Sequence, residues 1–518
     1  MKIIRNLIDK YKYVCVACIV SGFLAHFYAL TNILQNYDNV EFMPAAYGIG
    51  LISGRWMLAL LGKIMILIGG SYNLPFFNGL LTILILTIVA CLIVDLFGLK
   101  DKYAVLFGAI FICFPTVTGT MFFMYTAPYY AVAVLMAVLA VSFTEKYKFG
   151  FLIAIVLEAC SLGIYQAYIP MTAVLFVLLL IVKNIKDNSL IFLLKKSFFY
   201  LFILAGGFVV YFLILKLFLC VMDMQLGTYA SIDKMGQMKL GDIPEILKKC
   251  YTHFFELPLH DYHGISATPI LQICILALEI SSIILAIDML RWEKGRNAKA
   301  FLCLFYLIFV FPLAVNGIEI LCFNSRIYVL MIYSVVFIYL VPLILLDLRK
   351  KMQHGLGESS ESRKPSCCFN YCEKIILSST IICILSYVYF ANVNYTSMFY
   401  MNQQTTSYFI SMVTRIKDVE GFDASYQWAL IGDTIQDPGF ENPWAVAQKY
   451  GGNPDSLLNA YSRNSYLREY LGCKYDAVDE WRLNEIKNMD IVQNMPCYPN
   501  SGSIRVINDV VVIKLSND

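Results

Sequence analysis

Windows of about twenty apolar residues recur along the chain from its N-terminus to about residue 390. A helix of about twenty apolar residues crosses a bilayer, and in lipid its backbone polar groups are satisfied within the helix itself. Only 15% of the residues are charged, whereas a soluble domain carries about a quarter. The sequence therefore predicts an all-α polytopic membrane protein embedded in a lipid bilayer.

Eleven apolar segments have the composition of transmembrane helices. The first could be mistaken for a signal peptide because basic residues precede it. Its apolar stretch is long and no small-residue cleavage site follows cleanly, so we expect a retained anchor. The predicted spans are residues 13–30, 75–97, 103–120, 128–144, 149–165, 168–183, 197–219, 269–289, 300–316, 326–347 and 375–391.

The lysines and arginines between the spans are distributed unevenly. Alternate segments, beginning with the N-terminal one, hold 22 of them, and the loops in between hold seven. Because basic residues favour the cytoplasmic side of a membrane, the N-terminus is predicted to be cytoplasmic. The basic residues form no single patch, and we therefore expect no nucleic-acid partner.

The odd number of spans then places the C-terminus on the outer face. We predict a membrane body at residues 1–391 and an external module at residues 392–518. Two long outer loops, 31–74 and 220–268, interrupt the membrane body. The first outer loop, with its charged residues, is thus expected to face outward.

The external module has a mixed pattern. Strand-like runs at 428–432 and 505–515 stand among polar, helix-compatible stretches, which predicts a small α/β module. Cys473 and Cys497 are the two cysteines of this module, so one disulfide could form there.

Residues 56–70 read WMLALLGKIMILIGG and are apolar enough to suggest another span. The stretch is short, contains Lys63, and as a span would reverse every later loop and remove the charge asymmetry. We therefore predict a helix that lies in the outer interface or dips into it. Trp56, at its start, is expected to be an interfacial anchor rather than a platform for a sugar ring.

The first outer loop carries charge in a chain that otherwise avoids it. Asp38 and Glu41 are three positions apart and would share one face of a helix. A carboxylate can accept a proton as a general base, and the planar guanidinium of Arg55 matches phosphate oxygens. These are the groups needed to move a sugar off a lipid phosphate. The alternative is an ordinary solvated loop with a local ion pair.

The sequence also resembles a known family. The acids of the first outer loop, SGRWMLALLG at 53–62 and LGIYQAYIP at 162–170 are similar to the Gtr-type glucosyltransferases. These are membrane enzymes that decorate bacterial surface polysaccharides, in the manner of O-antigen modification. The likeness extends over the arrangement of the membrane body to about residue 350. GRW and YQ are its most recognisable motifs.

The resemblance implies the GT-C fold, in which the first outer loop of a many-span helical body carries the catalytic carboxylate. It implies a polyprenyl-phosphate sugar donor, usually glucose, and a surface polysaccharide or glycolipid as acceptor. A partner flippase and a polyprenyl-phosphate sugar synthase would supply the donor, and no cofactor is implied. Asp38 is then the first candidate for the base and Glu41 the second. Arg55 and Lys63 are the expected phosphate-binding residues, although Lys63 could equally snorkel to the lipid headgroups.

Other polar residues of the outer loops are candidates for substrate contacts. Tyr165 and Gln166 could hydrogen-bond sugar hydroxyls, or they could cap helix ends. Arg326 begins a span on the outer side and is a further candidate for binding the donor phosphate.

A cluster of His260, Asp261 and His263 lies in the second outer loop. These residues could contact the acceptor or donor, bind a divalent metal ion, or be ordinary loop surface. No defined fourth ligand accompanies them, so the spacing does not specify a metal site.

Two other functions share this topology. A flippase or transporter of lipid-linked sugars would place charged residues within spans along a path, and here Glu158, Lys216 and Glu279 are few and scattered. A polymerase or ligase of lipid-linked sugars usually has a large outer loop late in the chain. The late loop 316–326 is short, but residues 220–268 keep that alternative open. The sequence favours a membrane glycosyltransferase.

Overall fold

A computed structural model describes residues 2–36, 38, 40, 48–70, 72–186, 189–227, 239–294, 298–322, 327–355, 367–432, 460–474 and 476–517. The helices up to the C-terminal module are α1 (Lys2–Thr31), α2 (Gly48–Ile52), α3 (Trp56–Ile68), α4 (Pro75–Phe97), α5 (Asp101–Cys113), α6 (Pro115–Met121), α7 (Ala127–Lys146), α8 (Gly150–Ile164), α9 (Ile169–Lys186), α10 (Leu190–Val221), α11 (Ile243–Glu256), α12 (Pro269–Lys294), α13 (Ala298–Val315), α14 (Ile318–Leu321), α15 (Phe337–Gly355) and α16 (Cys367–Lys417).

The predicted class, an all-α polytopic membrane protein, is confirmed. Among the described residues, seven helices are long and apolar enough to cross a membrane, or eight if the bent pair α5–α6 forms one span. Gly150–Ile164 and Phe301–Val315 are shorter apolar helices at two more of the predicted spans. Helix α3 has 13 residues, or about 20 Å, and is too short to cross a hydrocarbon core of about 30 Å.

The break between α5 and α6 shapes one end of the bundle. The two helices are bent by 40°, and Pro115 opens α6 after Phe114 in an extended conformation. Proline has this effect because its ring excludes the preceding residue from the helical region. Helix α6 then leads into a turn at residues 122–126, before α7.

The predicted span 326–347 is helical only in its second half, where α15 begins at Phe337. Two 3₁₀ turns, Val329–Met331 and Tyr333–Val336, precede α15. Side chains stabilise this irregular backbone: the Thr116 hydroxyl donates to the Val329 carbonyl at 2.7 Å, and the Ser334 hydroxyl donates to the Val315 carbonyl at 2.7 Å. Hydropathy cannot distinguish such buried turns from a helix because both are apolar.

The two ends of the bundle differ in character. At one end, Asp95 pairs with Lys10 and Lys146, and Glu145 pairs with Lys183. From the other end α16 continues into the C-terminal module, and we call this the module end. Helix α16 has 51 residues, or about 75 Å, and it continues without a break through residue 391 to Lys417. It is therefore more than twice as long as a bilayer requires.

The C-terminal module is a three-stranded sheet with short helices. Its strands are β1 (Gln427–Ile431), β2 (Ile504–Ile507) and β3 (Val510–Lys514), in the order β1-β3-β2, with β1 parallel and β2 antiparallel to β3. Between β1 and β2 lie α17 (Ala460–Ser465), a π-helical turn (Tyr466–Tyr470), α18 (Glu480–Lys487) and α19 (Asp490–Gln493). The predicted α/β character is confirmed.

The sheet is apolar on both faces. Because side chains alternate along a strand, Leu430 and Val511 pack with Phe409 of α16, whereas Ala429 and Val512 pack with Ile486 of α18. The far part of α16 is thus a core element of the module.

The strand-like run 505–515 contains two strands. Asn508 and Asp509, with φ of 48° and 59°, form a tight turn between β2 and β3. An Asn-Asp pair suits such a turn because both residues tolerate positive φ. The thiols of Cys473 and Cys497 are not bonded to each other.

We predict that Phe409→Ala destabilises the module. Phe409 is fully buried between α16 and the sheet, and truncation of a buried phenylalanine costs about 3–5 kcal/mol. Pulse proteolysis of the full-length protein in detergent should show earlier loss of the module along a urea series. Ile410→Ala is the control, because Ile410 is 53% exposed and its truncation should leave the urea midpoint unchanged. Equal midpoints for the two variants would contradict this packing.

Candidate functional site

The SGRW segment forms a tight turn between α2 and α3. Gly54 has a φ of 74°, which an L residue rarely adopts. Its N–H donates to the Leu51 carbonyl at 2.9 Å, and the N–H of Arg55 donates to the Gly50 carbonyl at 2.6 Å. The carbonyl groups of Ser53 and Gly54 lie in this turn, between α2 and α3.

Two side chains from neighbouring helices bind these carbonyl groups. The Gln166 amide nitrogen donates to the Ser53 carbonyl at 3.0 Å and to the Tyr211 hydroxyl oxygen at 3.0 Å. The Tyr211 hydroxyl donates to the Gly54 carbonyl at 3.0 Å. All these groups are buried. GRW and YQ, the two motifs that carry the family resemblance most clearly, therefore belong to one hydrogen-bonded unit.

This unit places the Arg55 side chain against tyrosine rings. The guanidinium carbon lies 4.8 Å from the centroid of the Tyr165 ring, and an Arg55 Nη atom donates to the Tyr130 hydroxyl at 3.4 Å. The rings of Tyr130 and Tyr165 are stacked at 4.7 Å. A cation over a tyrosine face is stabilised by the ring quadrupole. Arg55 is half-buried, so its charge lies at the rim of the bundle rather than in free solvent.

The expectation that Trp56 is an interfacial anchor is wrong. Its side chain is 4% exposed and stacks on the Phe218 ring at 6.0 Å. It packs so closely on α8 that a Cβ on Gly163 would lie 2.6 Å from the indole ring. Trp56 thus fixes the start of α3 to the bundle, and the missing side chain of Gly163 makes room for it.

Asp38 lies in a turn beyond the end of α1 and is half-buried. Its backbone N–H donates to the side-chain oxygen of Asn36 at 2.8 Å, and the Asn36 amide nitrogen donates to the Phe122 carbonyl at 2.5 Å. Asn36 itself is fully buried. Glu41, the second candidate base, lies outside the described residues.

Asp38 and Arg55 are both attached to the segment 122–130, which contains the turn after α6 and the first turn of α7. Asn36, which binds the Asp38 N–H, reaches Phe122 at the start of this segment. Arg55 reaches Tyr130 in the first turn of α7. The tertiary structure therefore brings the candidate acid and the candidate phosphate-binding residue to one end of the bundle.

The other candidate residues lie at different distances from Arg55. The Tyr165 ring contacts the Arg55 guanidinium. Gln166 is 7% exposed, and its amide nitrogen donates two hydrogen bonds. Lys63 is exposed on α3, eight residues beyond Arg55 and thus about 12 Å along the helix axis. Arg326 lies outside the described residues. The roles of these residues stay predictions.

The segment after α11 is a compact turn. The Ser266 hydroxyl donates to the His260 carbonyl at 2.6 Å and accepts from the Tyr262 N–H at 3.0 Å. The Asp261 carboxylate accepts from the Gly264 N–H at 2.9 Å. No group of three or more His, Cys, Asp or Glu side chains within the described part of the chain is arranged to hold a metal ion.

A buried carboxylate lies near this turn. Glu319 is 4% exposed, and its carboxylate lies 2.5 Å from His253 Nδ1. Burial, and then the Glu319 charge, raises the pKa of the Cys250 thiol to about 12. The same two causes raise the pKa of Tyr262. Nothing in the local sequence pattern indicates that His253 and Glu319, 66 positions apart, are partners.

The long apolar helices define an integral membrane protein, and its polar site lies at the module end. The model of the glucosyl transferase GtrII family matches residues 27–339, which is more than half of the chain. The chain therefore belongs to the GtrII family, and membership implies a glucosyltransferase. The matched range contains Asp38, Arg55 and Gln166 but ends before α16. No curated protein and no solved structure matches the chain.

The sequence alone did not identify several residues of this site. Tyr211 stands inside an apolar span and Tyr130 at the start of another, where tyrosine is common. The hydrogen bond from the Asp38 N–H to Asn36 could be anticipated from the sequence, because an asparagine side chain often binds the backbone N–H two residues further along the chain.

We predict that Tyr211→Phe destabilises the protein by about 1–3 kcal/mol, because the buried Gly54 carbonyl loses its side-chain donor. The free energy of unfolding can be measured by titration with sodium dodecyl sulfate in mixed micelles. Tyr389→Phe is the control. Tyr389 is 65% exposed, so the Tyr389→Phe protein should have the same free energy of unfolding as the wild type. A Tyr211→Phe protein as stable as the control would contradict the role of this hydroxyl.

Proposed function

We propose that this membrane glucosyltransferase takes its sugar from a polyprenyl-phosphate donor and transfers it on the outer face of the membrane. The acceptor is a surface polysaccharide or glycolipid, and the body of the enzyme is of the GT-C type. The observation that carries the proposal is the attachment of Asp38, through Asn36, and of Arg55 to the same segment, residues 122–130. The family match, which spans both residues, supports it.

In the proposed reaction Asp38 is the general base. The acceptor oxygen forms a bond to the anomeric carbon of the sugar while the bond from that carbon to the donor phosphate breaks. The proton of the acceptor hydroxyl passes to the Asp38 carboxylate, and the electron pair of the broken bond leaves with polyprenyl phosphate. Attack from the face opposite the phosphate inverts the configuration at the anomeric carbon.

Arg55 is proposed to bind the donor phosphate. Negative charge increases on this phosphate as the sugar departs, so a fixed cation stabilises the transition state more than the bound donor. The Gln166 and Tyr211 hydrogen bonds hold the turn in place before substrate binds, and the reaction then needs little reorganisation of the protein. Lys63 and Arg326 are further phosphate candidates, and Tyr165, His260, Asp261 and His263 are candidates for contact with the sugar or the acceptor.

We predict that Asp38→Asn lowers sugar transfer by roughly 10²–10⁴-fold while donor binding is retained, because the amide cannot accept the proton. Transfer of radiolabelled glucose from its polyprenyl phosphate to acceptor is measured in membranes, with Glu41→Gln tested in parallel. Asp418→Asn, at an exposed carboxylate just past the end of α16, is the control and should match the wild type.

The same assay separates the rival function. Loss of transfer in Glu41→Gln but not in Asp38→Asn would move the base to Glu41. A wild-type protein that carries donor lipid across the bilayer but releases no polyprenyl phosphate would be a flippase, and the transferase proposal would be abandoned.

The proposed orientation has its own test. An epitope tag after Asp518 should be cleaved by protease added to spheroplasts, whereas a tag before Met1 should be protected until the membrane is broken. This follows from the concentration of basic residues in alternate loops. Protection of the C-terminal tag in intact spheroplasts would place Asp38 on the cytoplasmic face and exclude an outer-leaflet donor.

A further inference from the structure

We propose that the C-terminal module is a working part of the transfer site, with Asn402 of α16 as the positioning residue for the loop that carries Asp38. This inference rests on the proposed function of Asp38 as the base. It assigns a role to the extension of α16, which lies outside the family match.

The first link is between α16 and the backbone of Gln35. The Asn402 side-chain oxygen accepts from the Gln35 N–H at 3.0 Å, and its amide nitrogen donates to the Gln35 carbonyl at 3.2 Å. The same nitrogen donates to the Met398 carbonyl within α16 at 2.8 Å. Asn402 and Gln35 are 3% and 2% exposed. One side chain thus satisfies both backbone polar groups of Gln35, a residue that belongs to no helix.

The second link runs from Gln35 to Asp38. The next residue, Asn36, is fully buried, and its side chain joins the Phe122 carbonyl to the Asp38 N–H. Asn402 therefore supports the stretch in which Asn36 orients Asp38. Loss of the Asn402 bonds would release Gln35 without removing any atom of Asp38.

The third link lies on the other side of Asp38. Val40 is 6% exposed and belongs to the apolar cluster of the module, which includes Phe409 and Met412 of α16 and Trp428 of β1. The loop is thus attached to α16 or to the module both before and after Asp38.

One face of α16 makes both kinds of contact. Asn402, Phe409 and Ile416 are seven residues apart and all buried, so they lie along one stripe of the helix. The first of them holds the loop, and the other two pack on the sheet. The sheet therefore stabilises the same helix face that positions Asp38.

This arrangement predicts a kinetic signature that differs from acceptor recognition. A module that only binds the acceptor would not affect attack by water on the donor. A module that positions Asp38 affects transfer to the acceptor and hydrolysis of the donor alike, because the same base acts in both. Donor binding should change little, since Gln166 and Tyr211 hold the Arg55 turn independently.

The test compares two asparagines of α16 in the full-length protein. Asn402→Ala removes the bonds to Gln35. Asn392→Ala is the matched control, because the Asn392 amide nitrogen also bonds within α16, to Val388, and to Leu24, which lies inside α1 and not in the loop that carries Asp38. Asn402→Asp keeps an acceptor for the Gln35 N–H and should give partial rescue.

We expect Asn402→Ala to lower kcat for transfer and for hydrolysis by on the order of 10²-fold, with KM for polyprenyl-phosphate glucose within about threefold of wild type. Asn392→Ala should stay within about twofold of wild type in both reactions. Hydrogen exchange supplies a readout that needs no activity: the amides of Gln35 and Asp38 should lose protection in Asn402→Ala, whereas those of β1 and β3 keep theirs.

Two results would overturn the proposal. One is donor hydrolysis by Asn402→Ala at the wild-type rate, whether or not transfer to the acceptor is lost. The other is unchanged protection of the Gln35 and Asp38 amides. Failure of the proposed function looks different, because the wild type itself would then release no polyprenyl phosphate. In that case the exchange measurement still decides whether α16 holds the loop.

Discussion

Buried amide side chains hold the two irregular segments of the site, and the arrangement of Asp38 and Arg55 depends on them. Peptide groups outside helices are costly next to lipid unless a partner binds them. Gln166 binds the Ser53 carbonyl, Asn36 the Phe122 carbonyl, and Asn402 both polar groups of Gln35. An amide side chain suits this task because it carries a donor and an acceptor. A few directed hydrogen bonds, rather than regular secondary structure, therefore specify the site.

The family match and the tertiary structure divide the molecule differently. The match covers residues 27–339 and includes Asp38, Arg55 and Gln166. Helix α16 lies beyond it, yet its buried face contacts the loop that precedes Asp38. The family thus accounts for the groups proposed to act on substrate, while the part of the chain outside the match supports one of them. The sequence indicated a separate module because the apolar windows end at about residue 390.

Local patterns predicted most of the fold and failed where structure is not local. Ten of the eleven apolar windows coincide with helices, because hydropathy and helix length are properties of a continuous segment. The start of the span at 326–347 was wrong because apolar 3₁₀ turns have the same composition as a helix. Trp56 was misassigned because an indole at a helix start looks the same whether it faces lipid or α8.

The sequence by itself determined the membrane architecture, the α/β character of the C-terminal module and the charged residues of the loop after α1. Each is encoded in a short stretch whose composition decides the outcome. Only the tertiary structure decided which residues meet, such as Gln35 with Asn402, 367 positions apart. A hydrogen bond between such distant residues leaves no mark on the local pattern at either position. Its partners are selected by helix packing, which places both at the module end.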